Sequence, residues 1–201
     1  MGTVHPGIPK KIALGLATKF AISNFVETGT HLGSTALWAA RNFKNCWTIE
    51  ANDTLFARTS LKLSAKGIQA IHGNSIHSLQ SMIHSLQAPA LFWLDAHYSG
   101  DGTAGVENEC PVIEEIKIID SSPHQHFILI DDARMFLKPP PKPHNPDHWP
   151  TIDSVKRVLV EKHNDASVDV YDDVVYRVPL FAKETLASLK SRRLFDKLLR
   201  R

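Results

Sequence analysis

The stretch "FVETGTHLGST", Phe25 to Thr35, reads as a strand, a glycine turn and the start of a helix. Gly29 and Gly33 let the backbone approach a ligand, and the first free N–H groups of the helix face whatever sits there. The same order recurs downstream: "CWTIE" and a helix from Asn52, then "IQAIHGN" and a helix from Ser75. After them come "ALFWLDA", a loop, a helix through "CPVIEEIKII", and "HFILIDD". Strands separated by helices of this length predict right-handed crossovers and a parallel sheet covered on both faces. The expected class is doubly wound, Rossmann-like α/β, with strand order 3-2-1-4-5 plus edge strands. "SVDVYDD" and "VVYRVP" predict an antiparallel pair or a strand finishing one edge of the sheet. In "SIHSLQSMIHSLQ" the repeated Ile-His-Ser-Leu-Gln places Ile76, Leu79, Ile83 and Leu86 on the core face of one crossover helix and leaves His77 and His84 at the surface.

With 201 residues the chain suits one domain, 1–201, able to bury roughly 70% of the surface its unfolded form exposes. A net charge of +2 with 22% charged residues gives no support to nucleic-acid binding. Cys46 and Cys110 are far apart and suit buried thiols rather than a disulfide framework. No apolar run reaches the length of a membrane span and no signal-peptide pattern is present, so a cytoplasmic protein is expected. The segment 183–201 predicts a basic amphipathic helix, with Leu186, Leu189, Leu194, Phe195, Leu198 and Leu199 packing on the domain. "KPPPKPHNPDHWP", 138–150, is an irregular insert directly after the "IDD" strand, placed to act as a lid over the strand ends.

Chemistry enters through the acids at the strand ends. Glu27 closes the first strand, where it repels a pyrophosphate but welcomes an ammonium group, and the dinucleotide spacing G-x-G-x-x-G is missing. Glu27, Thr28, Gly29, Thr30, Gly33 and Ser34 thus suit an amino acid zwitterion, with its carboxylate at the helix start. Glu50 stands where a doubly wound fold places an acid on the ribose hydroxyls. Asn74 and Ser75 end the third strand, either against a purine edge or, for Ser75, as a helix cap. A zwitterion joined to adenosine is S-adenosylmethionine.

In this order, "ETGTHLGST", "TIE", "GNS", "LFWLDAHYSGDGTAGVENECPVIEEI" and "ILIDDARMF" resemble class I S-adenosylmethionine-dependent methyltransferases. The likeness is nearest to the branch of macrocin-type sugar O-methyltransferases and cephalosporin-hydroxylase-like proteins, and spans Phe25 to about Val158. Two departures stand out: Asn74 where related sequences often carry an acid, and Asp101 in place of a common glycine.

Asp95, Asp131 and Asp132 are expected to converge at the crevice, where three carboxylates conflict unless a cation joins them. Oxygen ligands favour Mg²⁺, with Mn²⁺ or Ca²⁺ as alternatives, and the resemblance implies Mg²⁺ at matching strand ends. Asp95 is thus a catalytic, cofactor and metal candidate, and His97 is the first-choice base with Tyr98 as alternative. The expected activity is metal-assisted O-methylation of a sugar or other small-molecule hydroxyl by a monomer or small homo-oligomer. The competing readings are a non-catalytic methyltransferase-like binding module and a nicotinamide-dependent oxidoreductase, the latter disfavoured by Glu27.

Overall fold

A computed structural model describes residues 7–98, 100, 104–105 and 107–198. Ser99, Asp101 and Thr103 of the glycine-rich loop and Leu199 of the tail lie outside the described residues, as do the side chains of Phe195 and Leu198. The chain runs through α1 (Lys10–Lys19), β1 (Asn24–Thr28), α2 (Ser34–Ala39), β2 (Asn45–Glu50), α3 (Asp53–Ser64), β3 (Ile68–His72), α4 (Ser75–Met82) and β4 (Ala90–Leu94). It continues through α5 (Val112–Ile119), β5 (Phe127–Ile130), α6 (Ala133–Leu137), α7 (Ile152–Glu161), β6 (Ser167–Tyr171), β7 (Val174–Val178) and α8 (Lys183–Leu198).

Among the described residues seven strands form one sheet in the order β3-β2-β1-β4-β5-β7-β6. The first five are parallel; β7 runs antiparallel to β5 and to β6. Both expectations for the C-terminal pair hold together, because the hairpin also closes the edge beyond β5. Its turn is Asp172–Asp173, both with positive φ (55° and 64°), the geometry a two-residue hairpin demands and aspartate tolerates.

Strand alternation divides the core. Phe25, Leu91, Trp93, Phe127 and Leu129 face one layer, with α1, α2 and α8. Val26, Phe92, Leu94, Ile128 and Ile130 face the other, with α4, α5, α6 and α7. A period of two sends neighbouring residues to opposite faces, so a strand buried on both sides is apolar throughout. Each such side chain contributes about 1.5–3 kcal/mol by leaving water.

The N-terminal helix α1 carried no helical reading in the sequence, yet it is fastened to α8: a Cβ on Gly15 would stand 2.6 Å from Leu189. The second half of "SIHSLQSMIHSLQ" departs from the expected single helix, since α4 ends at Met82 and a 3-10 turn covers Ile83–Ser85. Leu79, Ile83 and Leu86 are buried, Ile76 is half-buried, and both His77 and His84 are exposed. The tail helix buries Leu186, and its Lys190 and Arg193 pair with Asp169 and Asp172. No helix among the described residues is long and apolar enough to cross a membrane.

Candidate active site

The parallel ladder continues one residue beyond the strands. Gly29 N donates to Ile49 O (3.0 Å), Asp95 N to Thr28 O (3.0 Å) and Asp131 N to Leu94 O (3.1 Å). These bonds set Gly29, Asp95 and Asp131 side by side at the carboxyl ends of β1, β4 and β5, where the strand order reverses. Gly29 has φ +84°, and a Cβ there would come within 2.1 Å of the Asp95 carbonyl oxygen, so only glycine fits.

A cavity of about 280 Å³ opens at this end of the sheet. Gly29, Glu50, Asn74, Ser75 and Asp95 form one part of its wall, and His97, Gly105 and Asn108 another. Glu50 is buried, with Oε2 accepting from His31 N (2.8 Å) and Oε1 from Asn52 N (2.9 Å). Asn74 Oδ1 caps α4 by accepting from Ile76 N (2.9 Å), which turns its amide nitrogen into the group available for a ligand.

Glu27, Thr28 and Thr30 are buried and are not among the lining residues. Thr48 donates its hydroxyl proton to Glu27 Oε2 (2.6 Å), and the Thr30 hydroxyl lies 2.7 Å from the same Thr48 hydroxyl. Burial pushes Glu27 up to about 8, against the Thr48 and Thr35 hydroxyls, which favour its charged form. Gly33 is buried at the start of α2 with φ +74°, and Ser34 is exposed.

The three aspartates are brought near one another, but on unequal terms. Burial raises Asp95 well above its ordinary value, and the charges of Asp131, Asp132 and Glu27 add to it. Asp131 is pushed up to about 7 by burial and then by Asp132, although it accepts a hydrogen bond from Asp132 N (2.8 Å). Asp132 has φ +59° and points to Arg134, 2.8 Å from its Nη1. Among the described residues no group of three His, Cys, Asp or Glu side chains is drawn together as a metal-binding cluster. Of the expected triad, Asp132 is engaged by Arg134. Asp95 and Asp131 alone still fit a hard cation, since Mg²⁺ commonly takes one or two carboxylates and fills its octahedron with water and substrate.

His97 is 5% exposed and lines the cavity. Its ring stands 5.2 Å from Trp149 and 5.7 Å from Phe136. Burial lowers its pKa to about 4, so the imidazole is neutral at pH 7 but weakly basic. Tyr98 is half-buried and is not a lining residue; its N–H donates to Glu109 O (2.9 Å).

Sequence reasoning missed Glu109, Glu115 and Asp173. Glu115 on α5 is fully buried, and burial raises it to about 7 against the Ser75 and Thr28 hydroxyls. Asp173, from the β6–β7 turn, accepts from Arg134 N (2.8 Å) and pairs with its guanidinium. The acid-rich turn "DD" at 172–173 was visible in the sequence, but its destination was not.

No protein-family model matches this chain, and no curated protein matches it in sequence. Solved structures do resemble it. The O-methyltransferase TomG from Streptomyces achromogenes, involved in tomaymycin synthesis and solved with S-adenosylmethionine, superposes with a TM-score of 0.58 at 16% identity, covering 88% of this chain and 82% of that one. An O-methyltransferase from Bacillus cereus, solved with S-adenosylhomocysteine, gives 0.58 at 16%, covering 87% and 83%. A putative caffeoyl-CoA O-methyltransferase from Staphylococcus aureus gives 0.61 at 13%, covering 89% and 86%. At such identities the likeness is one of architecture, and this chain has the Rossmann-like methyltransferase fold.

Proposed function

We propose that this protein is an S-adenosylmethionine-dependent methyltransferase that methylates a small-molecule hydroxyl. The observation that carries the reading is the cavity at the switch point, where Gly29 packs on the Asp95 backbone and Glu50 is held by two backbone amides. Glu50 accepts the ribose hydroxyls through its remaining lone pairs. The Asn74 amide donates to a ring nitrogen of the adenine, replacing the carboxylate that related sequences often carry there. Glu27 sits behind the wall as a reserve of negative charge, and a nearby ammonium group draws it back toward its ionised form. The solved neighbours carrying S-adenosylmethionine or S-adenosylhomocysteine support this choice of cofactor.

The acceptor hydroxyl enters from the His97 side, and a sugar or polyol agrees with the motif resemblance. Asp95 and Asp131 would hold a divalent cation, Mg²⁺ foremost, with Asp132, paired with Arg134 here, as a further candidate ligand. When bound, such a cation lowers the acceptor hydroxyl's pKa and fixes its direction. His97, neutral at pH 7 and lining the cavity, receives the proton.

Calorimetric titration with S-adenosylhomocysteine, with and without Mg²⁺, tests the cofactor and cation together, using wild type and an Asp131→Ala/Asp132→Ala variant. Binding of the nucleoside with Mg²⁺ heat lost in the variant is the expected result. No binding under either condition overturns the reading. Transfer of labelled methyl groups to a panel of sugars, polyols and phenols then identifies the acceptor; binding without transfer to any of them favours a non-catalytic module.

A further inference from the structure

The proline-rich insert is fastened down at one point. Glu109, 4% exposed, directly precedes the Cys-Pro pair at the start of α5. Its Oε1 accepts from Asn145 N (3.0 Å), its Oε2 accepts from Trp149 Nε1 (2.8 Å), and Oε2 also lies 3.0 Å from His144 Nδ1. Its backbone carbonyl meanwhile accepts from Tyr98 N (2.9 Å). One residue therefore joins three separate segments: the end of β4, the start of α5 and the insert.

Burying a carboxylate is costly unless donors converge on it. Here burial opposes the charge, yet the groups of Trp149, Asn145 and His144 outweigh it and hold the carboxyl below the usual carboxylate range. What this arrangement fixes is an indole. Trp149 is 7% exposed, and its ring lies 5.2 Å from His97 and 5.8 Å from Phe136, so the His97 imidazole is walled on two sides by aromatic rings. His97 and Asn108, immediately before Glu109, both line the cavity. A phenylalanine at 149 would pack there, but it lacks the N–H through which Glu109 sets the ring's position.

We propose that Glu109 is a positioning residue: its carboxylate fastens the insert to the start of α5 and so holds Trp149 as the wall that orients His97 on the acceptor side of the cavity. The insert is then a latched wall, and the acceptor site takes its shape from the latch. This rests on the methyltransferase reading for its purpose, but not for its test.

The test reads His97 directly. In proton–carbon NMR spectra the His97 ring C–H signal is displaced by the ring currents of Trp149 and Phe136, and it is assigned by its loss in His97→Asn. In Glu109→Ala that signal is expected to move toward the position of an unshielded histidine, and the Asn145 amide to lose its protection from hydrogen exchange. Glu109→Gln, which keeps the volume and one accepting oxygen, is expected to shift the signal part of the way and serves where the alanine variant does not fold. S-adenosylhomocysteine affinity is expected to stay at the wild-type level in the folded variant, and the acceptor KM to rise more than kcat falls. An unmoved His97 signal and a protected Asn145 amide in either folded variant overturn the proposal. If wild type fails to bind S-adenosylhomocysteine while the His97 signal still moves, the cofactor reading fails and the latch stands.

Discussion

The Asp132 carboxylate lies 2.8 Å from Arg134 Nη1, and the same guanidinium pairs with Asp173 from the turn between β6 and β7. The C-terminal hairpin thus reaches the end of β5, where Asp173 shares the Arg134 guanidinium with Asp132. Arg134 acts as a resident cation for two acids, while Asp95 and Asp131 have pKa values raised first by burial and then by neighbouring carboxylates: Asp131, Asp132 and Glu27 for Asp95, Asp132 and Asp173 for Asp131.

Removing that cation should free Asp132. Arg134→Gln is expected to raise Mg²⁺ or Mn²⁺ affinity by about fivefold, which corresponds to about 1 kcal/mol for a half-exposed ion pair. Calorimetric titration of the metal against variant and wild type measures it; equal affinities would show that Asp132 takes no part.

Gly29→Ala combines a left-handed backbone with a Cβ 2.1 Å from the Asp95 carbonyl oxygen. A loss of about 3 kcal/mol in stability is expected, from strain and overpacking together. Denaturant unfolding checks the stability, and S-adenosylhomocysteine titration should show binding weakened as well, because the turn that lines the cavity must move.

Glu50→Gln retains shape but loses the charge that strengthens ribose hydrogen bonds. About 1.5–3 kcal/mol of nucleoside affinity is expected to go, roughly a tenfold to hundredfold weaker binding. Unaltered affinity would place the ribose elsewhere.

Glu115 offers a pH test with a definite sign. Its folded value, about 7, lies above its ordinary 4.5, so the folded state binds more protons than the unfolded state between those values. Stability from this group is present below about pH 4.5 and falls as pH rises to about 7. Glu115→Gln should therefore flatten that part of the stability profile, with up to about 3 kcal/mol gained relative to wild type at pH 8 compared with pH 4. Urea melts across this range measure the difference.

Far from the cavity, Arg177 is 2% exposed and its Nη1 donates to Asp120 Oδ1 at 2.5 Å. Asp120→Ala leaves a buried guanidinium without its counter-charge and is expected to cost about 3–5 kcal/mol. Nucleoside affinity in the folded fraction should be unchanged, which separates this loss from one at the site.

The sequence by itself determined the layered fold and the chain positions of the strand-end acids. Continuously apolar strands such as Phe127–Ile130, glycine at position 29, and helical spacing between strands are local patterns, and local sterics and burial translate them into a parallel sheet with few alternatives. Only the tertiary structure decided which of those acids share a space and what each one faces. Glu109 meets Trp149 across 40 positions and Arg134 meets Asp173 across 39. Contacts of that range depend on where loops land on the finished sheet, and no spacing rule encodes them. For the same reason the bonds from the insert to Glu109, the place of Glu27 outside the cavity lining and the burial that lowers the basicity of His97 were not legible in the chain. Ordering along a strand is written in the chain; the dielectric and the partners around a side chain arise only when the layers close.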